Sequence, residues 1–103
     1  MNKLRKNNQD QLNVMRKIVE HPNLSQRDLA AKLGFSLGKF NYCLKELKVK
    51  GFVKINNFKK SKNKMKYIYV LTPGGIATKT KLTINFMKRK MQEYNELKKE
   101  VAD

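Results

Sequence analysis

Apolar side chains recur along this chain at helical spacing, are interrupted once by strand-like alternation, and then resume. Over residues 9–20, Leu12, Met15, Ile18 and Val19 form one helical stripe. Pro22 ends it, because its ring disfavours helical backbone at His21. Ser25-Gln26-Arg27-Asp28 is a capping-box pattern with an aspartate at the fourth position, so a second helix starts there. Leu29 and Leu33 are its buried face, Ala30 is small enough for another helix to cross closely, and Gly34 stops it. Ser36 caps a third helix over 37–50, with Leu37, Phe40, Leu44 and Leu47 on one stripe and Gly51 at its end.

Alternation then replaces the helical period. Residues 52–58 read as a strand with Val53 and Ile55 on one side, and residues 65–71 as its partner. In the second strand Ile68 and Val70 share one face, Tyr67, Tyr69 and Leu71 the other, and the tyrosines read as packing residues. Thr72-Pro73 caps and opens a last helix that reaches Val101, with Pro73 at a position where its missing N–H costs nothing. Ile76, Ile84, Met87, Met91, Tyr94, Leu97 and Val101 recur along it, a stripe longer than a small domain can cover. The predicted order is three helices, a hairpin and a long helix. In residue terms this is a basic tail over 1–8, a domain over 9–73 and a projecting helix over 74–103.

Charge sharpens this picture. The 103 residues carry 24 Lys and Arg against 8 Asp and Glu, a formal net charge of +16. Such self-repulsion implies a polyanionic partner, with nucleic acid ahead of an anionic membrane surface. The excess lies in residues 1–92, whereas 93–103 hold Glu93, Glu96, Glu100 and Asp103 against Lys98 and Lys99. The last turns therefore suit protein or water rather than phosphate. The candidate hairpin tip, Lys59-Lys60-Ser61-Lys62-Asn63-Lys64, holds four lysines in six residues.

Other chemistries find little support. Cys43 is the one cysteine and His21 the one histidine, so no intrachain disulfide or usual zinc ligand set is available. No cofactor or metal is expected. Paired carboxylates, a Ser-His-Asp set and a phosphate-binding glycine loop are also lacking, so an enzyme is not expected. Cys43 reads as a small apolar filler of the third helix rather than a redox sensor. The N-terminal stretch has no apolar core of a secretory signal, and Tyr67 to Leu71, among the longest apolar runs, cannot span a bilayer. A cytoplasmic location without a membrane partner is the expectation.

Two short helices joined through Gly34, the second basic and polar on its outer side, make a helix-turn-helix signature. The segment Leu29-Ala30-Ala31-Lys32-Leu33-Gly34-Phe35-Ser36, followed by Leu44, Leu47 and Gly51-Phe52-Val53, resembles the winged-helix core of bacterial regulators. Leu71-Thr72-Pro73-Gly74-Gly75 resembles the L-T-P-x-G junction after the wing in the multiple-antibiotic-resistance regulator (MarR) family, with the short exopolysaccharide (EPS)-associated members nearest in pattern. The resemblance spans residues 9–90. It implies a mainly α fold with a small β-hairpin, a winged helix-turn-helix plus a long C-terminal dimerisation helix. It also implies a transcriptional regulator, a repressor by expectation, that binds a pseudo-palindromic duplex as a homodimer. An RNA-binding winged helix is the alternative. The chain carries little before its first helix and so is expected to lack the N-terminal half of the family's dimerisation region, which shapes the effector pocket. No small-molecule effector is therefore expected. A dimer built from the C-terminal helix alone is similar to that of the phenolic-acid (PadR) regulators.

On this reading the third helix enters the major groove, which admits a single helix. Gly38, Lys39, Asn41 and Tyr42 face the bases, with Lys45 one turn on. Asn41 can pair bidentately with adenine and Lys39 can reach guanine. Ser36 caps the helix and sits where a phosphate could bind. Arg27 and Lys32 of the second helix, and Arg5 and Lys6 of the tail, are candidate phosphate clamps, and Lys59, Lys60, Lys62 and Lys64 form the wing tip. Ile84, Met87, Met91, Tyr94, Leu97 and Val101 are the expected dimerisation stripe.

Overall fold

The computed structural model describes residues 3–61 and 64–102, with side chains described for 5–55 and 68–102. The elements are α1 (Lys3–Glu20), α2 (Gln26–Leu33), α3 (Leu37–Val49), β1 (Val53–Ser61), β2 (Lys64–Leu71) and α4 (Pro73–Ala102).

Local sequence signals account for most of the boundaries. Ser25 Oγ accepts the backbone N–H of Asp28 at 3.1 Å, and Ser36 Oγ accepts that of Lys39 at 3.1 Å. Each supplies one of the orphan donors of a helix N-terminus. The two helices also end alike. Phe35 N–H bonds Ala30 O while Gly34 N–H bonds Ala31 O; Phe52 N–H bonds Leu47 O while Gly51 N–H bonds Lys48 O. These are paired Schellman motifs. They need left-handed backbone, and Gly34 (φ 71°) and Gly51 (φ 77°) provide it. The phenylalanine after each glycine packs against the core.

That core joins α1, α2, α3 and the base of the hairpin: Val14, Met15, Ile18, Leu29, Ala30, Phe40, Cys43, Leu44, Leu47, Val53 and Tyr69. Leu12 is buried as well. β1 and β2 pair antiparallel, with Val53 opposite Leu71 and Ile55 opposite Tyr69, and the register shifts between Ile55 and Asn57. Tyr69 ties the hairpin base to the helices: Gln26 Nε2 donates to its hydroxyl at 2.6 Å, and the Lys48 ammonium lies 5.9 Å from its ring centroid.

Several expectations are corrected. The first helix begins at Lys3, so residues 3–8 are helical rather than a tail. Those residues have no apolar period; α4 packs against α1, and just beyond them Arg89 Nη2 of α4 donates to Gln9 Oε1 at 3.1 Å. Val19 is 53% exposed, whereas Gln11 and Val14 are buried. α1 is packed by α2, α3, α4 and β2 at once, which sets its buried arc on 11, 12, 14, 15 and 18. Ile55 shares the Val53 face but is 46% exposed, because it lies at the rim where the register slips. Leu37 opens the α3 stripe at the surface.

Candidate nucleic-acid interface

Ser36 fixes the start of α3, and the buried arc of Phe40, Cys43, Leu44 and Leu47 fixes its rotation. Gly38, Asn41, Tyr42 and Lys45 are therefore exposed together along one side, at steps of three, one and three. Open space surrounds the position of a side chain on Gly38. Among the described residues nothing requires glycine there, and the backbone is accessible from outside. Arg27 lies exposed in the first turn of α2, and Lys32 near its end.

Lys39 occupies the rim of this face but is turned back. Its ammonium lies 3.4 Å from Asp10 Oδ2 on α1 and 4.1 Å from the Phe35 ring centroid. Tyr42 is held as well. Its hydroxyl donates to Glu46 Oε1 at 2.8 Å, while Gln11 Nε2 donates to Glu46 Oε2 at 3.0 Å and Lys50 Nζ donates to Gln11 Oε1 at 3.2 Å. The hydrogen bond to Glu46 raises the Tyr42 phenol above the usual tyrosine range. Sequence reasoning missed Asp10, Gln11 and Glu46. The four-residue step from Tyr42 to Glu46 was visible, but the approach of α1 to α3 was not.

Cys43 is buried in α3, and burial pushes its thiol up. That disfavours the reactive thiolate, in keeping with a packing role. Among the described residues no cluster of His, Cys, Asp and Glu could hold a metal ion. Nor is any helix there long and apolar enough to cross a membrane.

The hairpin carries Lys59 opposite Lys66, Lys60 opposite Met65 and Lys64 opposite Ser61 at its far end. Lys62, the fourth wing-tip lysine, lies outside the described residues. Arg5 and Lys6 line a cleft of about 510 Å³ between α1 and α4, with Phe86 and Arg89 on its other wall. On α4, Ile84, Met87, Met91, Tyr94, Leu97 and Val101 are between 46% and 88% exposed, an apolar strip left uncovered within one chain. The helix is 30 residues long, roughly 45 Å at about 1.5 Å per residue, in a molecule measuring 63 × 26 × 23 Å.

Three helices, the third capped and facing outward, and a two-stranded wing define a winged helix-turn-helix. The family described as winged helix-turn-helix DNA-binding matches residues 11–54. No curated protein matches the sequence. Among solved structures, the fold is similar to Staphylococcus aureus MarR in complex with salicylate and kanamycin. That match has a TM-score of 0.67 and 16% identity, over 84% of this chain and 57% of that one. It is also similar to the transcriptional repressor CouR bound to a 23-mer DNA duplex, at a TM-score of 0.65 and 23% identity, over 84% and 59%. A third is the S. aureus MepR–DNA complex, at a TM-score of 0.64 and 20% identity, over 87% and 69%. At these identities the likeness is one of fold. The chain spans between 57% and 69% of the length of these three proteins.

Proposed function

We propose that the chain is a sequence-specific, double-stranded DNA-binding transcriptional regulator. The observation that carries this reading is the exposed row of Gly38, Asn41, Tyr42 and Lys45 on the second helix of the helix-turn-helix, in a chain of net charge +16. A helix set this way presents its N-terminal half to base edges in the major groove. The wing lysines and Arg27 then meet phosphates, which supply affinity without sequence information. CouR and MepR, to which the fold is similar, are seen with DNA.

The finer reading is a homodimeric repressor of the short exopolysaccharide-associated type, acting in the cytoplasm and pairing through α4. Pairing would cover the uncovered strip of α4 and set two reading helices about 34–36 Å apart, one turn of duplex. Glu93, Glu96 and Glu100 interleaved with Lys98 and Lys99 suit contacts between helices. Selection from a random duplex pool, followed by affinity measurements on the enriched sequence, tests the reading. The expected outcome is a pseudo-palindromic sequence bound at least ~10³-fold more tightly than random duplex, the low end for specific regulators. Enrichment of no sequence, or tighter binding to structured RNA than to any duplex, overturns it in favour of an RNA-binding winged helix.

A further inference from the structure

Lys39 is the first cation of the reading helix, and by position alone it belongs with the base-reading side chains. Its surroundings differ from theirs. Asp10 Oδ2 stands 3.4 Å from its ammonium, and the Phe35 ring lies 4.1 Å beneath it. The Asp10 side chain is only 17% exposed, so solvent screens this pair less than a fully exposed one. Phe35 is placed by the Schellman motif that ends α2, and it packs on the core. The lysine is thus gripped from α1 and from the α2–α3 turn.

We infer that Asp10 is a positioning residue that holds Lys39 away from the bases, so that sequence choice on α3 falls to Asn41 and Lys45. Lys39 then fastens the reading helix to α1. Asp10 lowers affinity for every duplex alike, by occupying a cation that would otherwise be free for a phosphate. This rests on the DNA-binding reading above, and its test has one arm that needs no DNA.

In that arm, lysines of the native chain are acylated with a limiting amine-reactive ester and quantified by mass spectrometry. Lys39 is expected to react several-fold more slowly than Lys45, and Asp10→Asn, which keeps the side-chain shape, is expected to close the gap. Equal reactivity in the wild type, or a gap unchanged in Asp10→Asn, overturns the inference. The second arm measures affinity for the selected duplex and for random duplex. Asn41→Ala should lower their ratio and Lys39→Ala should leave it unchanged. Asp10→Asn should raise both affinities by a similar factor and steepen the log–log salt slope by about 0.9, one added phosphate contact. Loss of preference in Lys39→Ala equal to that in Asn41→Ala overturns the inference. Absence of any duplex preference in the wild type overturns the functional reading instead, while the acylation arm still decides whether Asp10 holds Lys39.

Discussion

Gly75, in the first turn of α4, lies against the backbone of Phe52 so closely that a Cβ there would overlap the Phe52 carbonyl oxygen. The same carbonyl accepts the N–H of Thr72 at 3.0 Å, and the Thr72 hydroxyl donates to Gly51 O while accepting Gly75 N–H at 3.0 Å. The end of α3, the foot of the hairpin and the start of α4 are thereby joined at one point. The projecting helix takes its direction from this junction.

Gly75→Ala should therefore destabilise the fold by about 1–3 kcal/mol, the usual cost of forcing an extra carbon into packed surroundings. Gly74→Ala is the control. A Cβ there meets Thr72 Oγ1 at 3.8 Å and Phe52 Cδ1 at 4.0 Å, which is ordinary contact. It should be neutral or slightly stabilising, since alanine favours helix over glycine. Denaturant midpoints of the two variants check this, and equal midpoints would remove the close approach as a constraint.

The Tyr42–Glu46 hydrogen bond has a pH signature. The phenol is raised above its ordinary value of about 10 chiefly by its bond to Glu46. A raised folded-state value means that the stabilisation is whole below about pH 10 and is lost as pH climbs through the folded-state value. Ultraviolet titration of the phenolates should show one tyrosine ionising later than an unperturbed one, and Glu46→Ala, which removes the acceptor, should return it to the common range. Tyr42→Phe should abolish the late component.

Duplex binding should be steeply salt-dependent. If about six phosphates are neutralised, the slope of log affinity against log salt is near −5. Replacing Lys59, Lys60, Lys62 and Lys64 with alanine should weaken selected and random duplexes alike and flatten that slope by up to about 0.9 for each phosphate no longer neutralised. A slope that stays put would take the wing off the phosphate backbone.

Met91 and Leu97 are 62% and 60% exposed on α4. Changing both to glutamate should shift the chain to monomer in sedimentation velocity and cost most of the operator affinity, while the winged domain keeps its circular dichroism and its unfolding midpoint. A wild-type chain that sediments as a monomer at tens of micromolar, roughly the weak end of association, would refute pairing through α4.

What the sequence determined by itself was everything encoded within a few neighbouring residues. Ser25 and Ser36 announced two helix starts, Gly34 and Gly51 two ends, and Thr72-Pro73 the start of α4, because a cap or a left-handed turn depends on local backbone chemistry. The α3 stripe of Phe40, Leu44 and Leu47 followed from a single period, and with it the outward row of Gly38, Asn41, Tyr42 and Lys45. Tertiary structure alone decided what depends on distant segments meeting. It buried Val14 in place of Val19 because four elements surround α1. It continued α1 back through residues 3–8, which have no apolar period, in a helix that α4 packs against. It also joined Gln11 to Glu46, 35 residues away, and Asp10 to Lys39, turning one predicted base reader back toward α1. Periodicity specifies which side of an element is apolar. Only packing decides how far that side is covered and which polar side chains at its rim find one another.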